Sequence, residues 1–267
     1  MLADMLRMDG RTAIVTGGGR GIGKAIALAF AELGAQVAVW ARSAEEIDAV
    51  RREIEGSGGK ALAVQVDITD SGRVHDAYVE VTDALGPVDT VVNNAGNLLY
   101  KSLVPLPNAP AHFPTFDGPI TDDEWSSVLG THLDGTMFLL REALPAMLER
   151  RGGRIVNVVS NSTMRHGPFV SAYDTAKGAV SELTRSLAHE VAYYGVTVNA
   201  IAAGHFYTAM TAPMHDDPDA NKRVLQRVPM RRIGDLSEIA ALAAYLVSEP
   251  AGFMTGQVIA LDGGESL

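Results

Sequence analysis

The sequence contains no cysteine, which excludes a disulfide framework, a thiolate metal site and a cysteine nucleophile. Aromatic residues make up only 6% of it. No apolar run approaches the roughly 18 residues that would mark a membrane span, and Met1 to Asp9 lack the continuous apolar region of a signal peptide. The expectation is a cytoplasmic protein with no membrane partner. Cations are also in deficit. The 22 lysines and arginines against 32 aspartates and glutamates leave a net charge of −10, which argues against nucleic acid as a partner, because phosphate binding needs a basic surface. No cluster of histidines and carboxylates has metal-ligand spacing, so no metal is expected, and no internal repeat is present.

What the chain does have is apolar residues at 47%, dominated by Val, Ile, Ala and Leu, together with 27 glycines. That composition fits close helix-to-sheet packing in a parallel α/β fold, and at 267 residues one domain spanning 1–267 is expected. Short β-branched runs alternate with helical periodicity along the whole length. Strands are predicted over 11–16, 36–40, 61–66, 90–92, 154–159, 196–201 and 257–261. Helices are predicted over 24–33, 44–55, 70–85, 122–149 (bent or interrupted near Gly130 and Gly135), from near Tyr173 to Tyr194, and over 236–248. The fold class is therefore α/β, a doubly wound parallel sheet of about seven strands, with ligands at the carboxyl ends of the strands.

Two stretches carry chemistry. The first runs from the strand at 11–16 through Gly17-Gly18-Gly19-Arg20-Gly21-Ile22-Gly23 into a helix. Glycines there permit a tight turn and let a pyrophosphate approach the backbone, while the helix N-terminus offers N–H groups and a positive dipole. At the end of the second strand, where an acid would bind a ribose 2′-hydroxyl, the chain has Ala41 and then Arg42. Arg42 and Arg20 are candidates to clamp a 2′-phosphate, so NADP(H) is expected in preference to NAD(H).

The second stretch runs from the strand at 154–159 through Ser160 to a helix in which Tyr173 and Lys177, four residues apart, share a face. Taken alone, that spacing is an ordinary helical surface pair. If the intervening loop returns Ser160 to them, the lysine is expected to lower the phenol pKa and make Tyr173 a general acid or base, with Ser160 holding a carbonyl or alkoxide oxygen.

Two segments interrupt the alternation. Residues 97–120 form a proline-rich insertion with apolar side chains (Leu98, Leu99, Tyr100, Phe113, Phe116), read equally as part of a substrate pocket or as a surface excursion or oligomer contact. Residues 205–228, rich in Met, aromatic and turn residues (Phe206, Tyr207, Met210, Met214), read as a mobile substrate cover.

Thr16-Gly17-x-x-x-Gly21-x-Gly23, Asp67-Ile68, Asn93-Asn94-Ala95-Gly96, Ser160 thirteen residues before Tyr173, Lys177, Val198-Asn199-Ala200-Ile201 and Thr255-Gly256-Gln257 through Asp262-Gly263-Gly264 stand in this order. In them the chain resembles, over essentially its whole length, the short-chain dehydrogenase/reductase family. The resemblance implies a Rossmann-like, nicotinamide-dependent oxidoreductase, usually a tetramer assembled through its two long helices. It also implies a tyrosine that exchanges the proton, a lysine that lowers its pKa and holds the nicotinamide ribose, and a serine that positions the substrate oxygen. Residue by residue it places Gly17, Gly19, Arg20, Gly21, Ile22, Gly23, Arg42, Asp67, Ile68, Asn94, Ala95, Gly96, Tyr173, Lys177, Gly204 and Thr208 at the cofactor.

Two positions depart from the family pattern. His132-Leu133-Asp134-Gly135 stands where the family has Asn-Leu-x-Gly and the asparagine completes a proton relay. Either His132 joins the catalytic set through an imidazole that donates, accepts and titrates near neutrality, or backbone and water serve the relay. Ala203-Gly204 replaces the usual Pro-Gly. The expected substrate is a mainly hydrophobic ketone or secondary alcohol. A 3-oxoacyl thioester, whose carrier meets Lys222, Arg223 and Arg227, is the alternative, and a nucleotide-binding regulator with impaired catalysis is the reading from another class.

Overall fold

The computed structural model describes residues 2–110 and 116–267; Met1 and Phe113, both named above, lie outside the described residues. After a single helical turn, α1 (Leu2–Met5), strand and helix alternate through β1 (Thr12–Thr16), α2 (Gly21–Glu32), β2 (Gln36–Ala41), α3 (Ala44–Gly56), β3 (Lys60–Gln65), α4 (Ser71–Leu85) and β4 (Val88–Asn93). The chain continues through α5 (Asp122–Leu129), α6 (Gly135–Arg150), β5 (Gly153–Ser160), α7 (Ser171–Val191), β6 (Val196–Ala203), α8 (Ala212–His215), α9 (Pro218–Arg227), α10 (Leu236–Val247) and β7 (Val258–Leu261).

All seven strands pair in parallel, in the order β3-β2-β1-β4-β5-β6-β7. The order reverses direction between β1 and β4, and a doubly wound sheet opens a crevice at such a point. The strands read as unbroken apolar runs because both faces are covered: every residue of β1 and of β6 is buried. Successive side chains then part to opposite faces. Val15, Val39 and Val156 pack with Ile26 and Phe30 of α2 and Ile239 of α10, while Ile14, Val91 and Ile155 pack with Val74 of α4 and Leu139 and Met147 of α6.

The 122–149 helix is interrupted where its glycines were expected to bend or break it: Gly130–Asp134 form one π-helical turn between α5 and α6, with His132 buried at its centre. Gly135 follows because α6 passes so close to the sheet that a Cβ there would lie 2.8 Å from the Ile68 side chain.

The described part of the 97–120 insertion contains no helix or strand. It folds back to one side: Leu99 and Ile120 pack against Val128, Ala172 and Ala176, and Lys101 N–H donates to Phe169 O at 2.8 Å. Tyr100, Phe116 and Phe169 stack with ring centroids 5.0–6.3 Å apart. The 205–228 segment carries α8 and α9.

Candidate active site

The carboxyl ends of β1, β4, β5 and β6 frame a cleft of about 360 Å³. At one end of it the chain leaves β1 through Gly17, whose φ of +63° suits glycine. A Cβ at Gly17 would come within 2.9 Å of the Ala95 backbone, and one at Gly23 within 2.2 Å of Gly17 O, so the loop and the first turn of α2 close directly on the β4 edge. Thr16 and Asn94 lock that junction. Thr16 Oγ1 accepts from the N–H groups of Asn94 and Ala95 (3.0 and 3.1 Å), and Asn94 Nδ2 donates to Thr16 O and Gly17 O (2.9 and 3.2 Å). No side chain caps α2, which leaves its first N–H groups facing the cleft. Backbone donors at a helix N-terminus, with no side chain between them and the cleft, suit the pyrophosphate of a dinucleotide.

Every cofactor position named from the sequence lines this cleft except Gly23, which is buried beneath the loop and serves its packing. Asp67 has its carboxyl held below the usual range, first by the Thr69 N–H. Arg42 lines the cleft as expected. Arg20 differs: its Nη1 lies 3.2 Å from Glu46 Oε1, and Glu46 lines the cleft too. The absence of an acid at Ala41 therefore did not reveal the carboxylate one turn into α3, whose position depends on Ser43 capping that helix (Glu46 N–H to Ser43 Oγ, 3.3 Å).

At the other end β5 delivers Ser160, and the 161–170 loop does return, setting Ser160, Tyr173 and Lys177 along one wall. The electrostatics reverse the sequence expectation. Burial pushes the Tyr173 phenol up to about 12, a hydrogen bond with Ser160 opposing it only in part. Lys177, 6% exposed, is driven down to about 7 by burial. Its Nζ donates to Val158 O at 2.6 Å and lies 5.7 Å from the Tyr173 ring centroid.

His132, at the centre of the π turn, also lines the cleft, its ring edge-on to Tyr173 at 5.3 Å. A Cβ on Gly96 would sit 2.3 Å from its Cε1, so the glycine makes room for the ring. Burial and the Lys177 charge lower its pKa to about 3, which corrects the reading that it titrates near neutrality. The imidazole is neutral at working pH. Nε2 stands 2.8 Å from Asn97 O and 3.2 Å from Asn97 N, so either neutral tautomer finds a backbone partner there, while buried Nδ1 has no partner among the described residues.

The 205–228 segment contributes Phe206, Thr208, Ala209, Met210 and Thr211, and Thr208 reaches across to the glycine loop, 3.2 Å from where a Gly21 Cβ would stand. Residues 97–120 were read equally as part of the pocket or as a surface excursion or oligomer contact. Among the described residues none of them lines the cleft, because the aromatic stack and Leu99 hold the insertion against α5 and α7 instead. Among the described residues no group of three His, Asp or Glu could hold a metal ion, and no helix is long and apolar enough to cross a membrane.

Comparison with known proteins agrees with this geometry. The family model described as Enoyl-(Acyl carrier protein) reductase matches residues 17–266. The chain is 35% identical over 259 residues to a 3-oxoacyl-[acyl-carrier-protein] reductase FabG of Staphylococcus epidermidis, covering 95% of this chain and 98% of that one. It is 38% identical over 265 residues to a galactitol 2-dehydrogenase (L-tagatose-forming) of Cereibacter sphaeroides, covering 97% and 96%. Among solved structures, a gluconate 5-dehydrogenase from Burkholderia cenocepacia in complex with NADP and tartrate superposes with a TM-score of 0.89 at 30% identity, covering 100% of this chain and 99% of that one.

Proposed function

The chain belongs to the short-chain dehydrogenase/reductase family of NAD(P)-dependent oxidoreductases, and from that premise we propose that it interconverts a mainly hydrophobic ketone and secondary alcohol using NADP(H). The observation that carries the reading is that Ser160, Tyr173 and Lys177 line one end of a cleft whose other end is the glycine loop and the uncapped α2 terminus. Two hydroxyls on one wall suit a substrate oxygen.

The dinucleotide would lie along Gly17, Gly19, Gly21, Ile22, Asp67, Ile68, Asn94, Ala95, Gly96, Gly204 and Thr208, and its nicotinamide supplies or accepts the hydride. The remaining work is done by side chains. Ser160 holds the substrate oxygen. Tyr173, protonated through the neutral range, donates its proton as the oxygen gains charge, and takes it back in the oxidative direction. Lys177, driven down to about 7 by burial, would hold the nicotinamide ribose. His132 is neutral and edge-on to Tyr173 with Nδ1 unpartnered, so any part it takes in the site is to hold a hydrogen-bond partner and not to change charge. Tyr173→Phe is expected to abolish turnover of ketones, followed by loss of reduced-nicotinamide absorbance, while leaving cofactor binding nearly intact. Full activity in that variant would refute the assignment. Retention of Ser160, Tyr173 and Lys177 together weighs against a regulator that has lost catalysis.

Arg42 supports the choice of NADP(H), and the NADP named in the solved relative is consistent with it. Arg42→Asp should reverse the preference, read as dissociation constants for the two reduced cofactors. Lys177 and His132 are the only cationic or imidazole side chains lining the Ser160–Tyr173 end of the cleft among the described residues, which favours an uncharged substrate there. A 3-oxoacyl thioester is the second reading, favoured by the names of the curated relatives. Lys222 and Arg223 are exposed on α9, but Arg227 is turned toward Glu265, which weakens a carrier site. Comparing an acetoacetyl thioester, an aryl ketone and a hexitol as substrates decides between these. A cytoplasmic homotetramer is the assembly proposed, testable by its mass in solution.

A further inference from the structure

Glu265, near the end of the sequence, has a side chain only 4% exposed, and a carboxylate that enclosed is costly unless it is paired. Four donors meet it. Oε1 accepts from Arg165 Nη1 at 2.7 Å and Arg227 Nε at 3.2 Å, while Oε2 accepts from Asn161 Nδ2 at 3.0 Å and lies 3.2 Å from His205 Nε2. The origin of these donors matters more than their number. Asn161 and Arg165 belong to the loop that follows Ser160. His205 is the residue after Gly204, and Arg227 is the last residue of α9, so the two ends of the cover converge on one carboxylate. Between them hang Phe206, Thr208 and Met210, which line the cleft.

The turn that presents Glu265 is itself fixed to the sheet. Asp262 accepts from the N–H groups of Gly264 and Ser266 (3.0 and 2.9 Å), Gly204 N–H donates to Leu261 O at 3.0 Å, and Met230 N–H donates to Gly263 O at 3.2 Å. Glu265 is absent from both apolar clusters that hold α2, α4, α6 and α10 on the sheet. Its partners are all loop residues or a helix end, so losing it frees those segments before it unfolds the core.

We propose that Glu265 is a positioning residue for the reaction: it clasps both feet of the 205–227 cover and the loop following Ser160 onto one buried carboxylate, and so holds Phe206, Thr208 and Met210 over the cleft. The inference rests on that cleft being the cofactor and substrate site. A side chain that acts only through cover placement affects binding of what the cover touches and leaves Ser160 and Tyr173 in place, so its loss is read in KM more than in kcat.

The test uses the full-length Glu265→Gln and Arg227→Met variants, the latter leaving Glu265 paired with Arg165. Amide hydrogen exchange is followed with and without NADPH, alongside ketone kinetics. In Glu265→Gln, exchange in peptides from 206–227 is expected to accelerate about tenfold with β1 and β5 unchanged, and KM to rise about tenfold with kcat within about threefold of the parent. Arg227→Met should shift both readouts the same way by less, and it carries the test if Glu265→Gln does not fold. Unchanged cover exchange, or acceleration spread evenly over the sheet, overturns the clasp. If the unmodified chain turns over no carbonyl, the reductase reading fails separately, and exchange in the cover still decides the role of Glu265.

Discussion

Glu46 offers the sharpest test of how this cleft selects its cofactor. Its carboxylate lies 3.2 Å from Arg20 Nη1 and lines the cleft beside Arg42, so it does two things to a 2′-phosphate placed there. It occupies one of the two guanidinium groups, and it adds a negative charge. Both side chains are substantially exposed, at 68% and 36%, so the ion pair itself stabilises by no more than about 0.2–1 kcal/mol. Two unit charges about 4 Å apart in water repel by about 1 kcal/mol, and the phosphate carries more than one. Glu46→Gln relieves the repulsion and frees Arg20, so NADPH affinity should rise by about 1–2 kcal/mol, roughly five- to thirtyfold. NADH affinity should change by less than about twofold, since nothing charged stands at its 2′ position. Titration by tryptophan fluorescence suits the measurement because Trp40 lines the same cleft. Repeating it at high salt should shrink the gain, as screening acts within about 8 Å at physiological ionic strength. An equal change for both cofactors, or weaker NADPH binding, would show that Glu46 serves to hold Arg20 in place and not to oppose the phosphate.

Three further outcomes follow from the site. With the Tyr173 phenol pushed up to about 12, the proton donor stays loaded through the neutral range, so a bend in ketone reduction near pH 7 reports Lys177 and not the phenol, whereas alcohol oxidation, which needs the phenolate, should still climb about tenfold per pH unit above that bend; a plateau in oxidation near pH 8 would contradict the buried phenol. His132 has a folded pKa of about 3, below its unfolded value near 6.5, so the unfolded state binds more protons between those limits and stability falls as pH drops through them; His132→Asn should flatten that decline in a thermal melt series, and an unchanged slope would remove His132 as its source. Tyr100→Ala should leave the substrate ranking and KM unchanged, because Tyr100 belongs to the stack with Phe116 and Phe169 and lines no part of the cleft; a reordered substrate panel would return the insertion to the pocket.

The architecture was legible in the sequence because it is written in local, periodic signals. Buried parallel strands need unbroken β-branched runs, and a helix that packs against them needs its 3.6-residue stripe, so all seven strands and the alternation appear to within a residue or two at most ends. The glycine loop and Ser160 were legible for the same reason, since strand ends fix where they emerge, whereas Tyr173 and Lys177 lie on α7 and were placed beside Ser160 only by the family resemblance.

What the sequence left undetermined depends on groups far apart in the chain. The width of the turn at Gly130–Asp134, and with it the burial of His132, is settled by α6 closing on Ile68. The direction of the Tyr173 and Lys177 shifts follows from how much protein surrounds them, which residue spacing does not encode; spacing predicted an ammonium acting on the phenol, while burial raises the phenol and lowers the ammonium, whose Nζ donates to Val158 O. Glu46 reaches Arg20 across 26 positions, and Glu265 reaches Asn161 across 104. Neighbours in the sequence set the elements, and electrostatics in the site was decided by partners that only folding brings within a few ångströms.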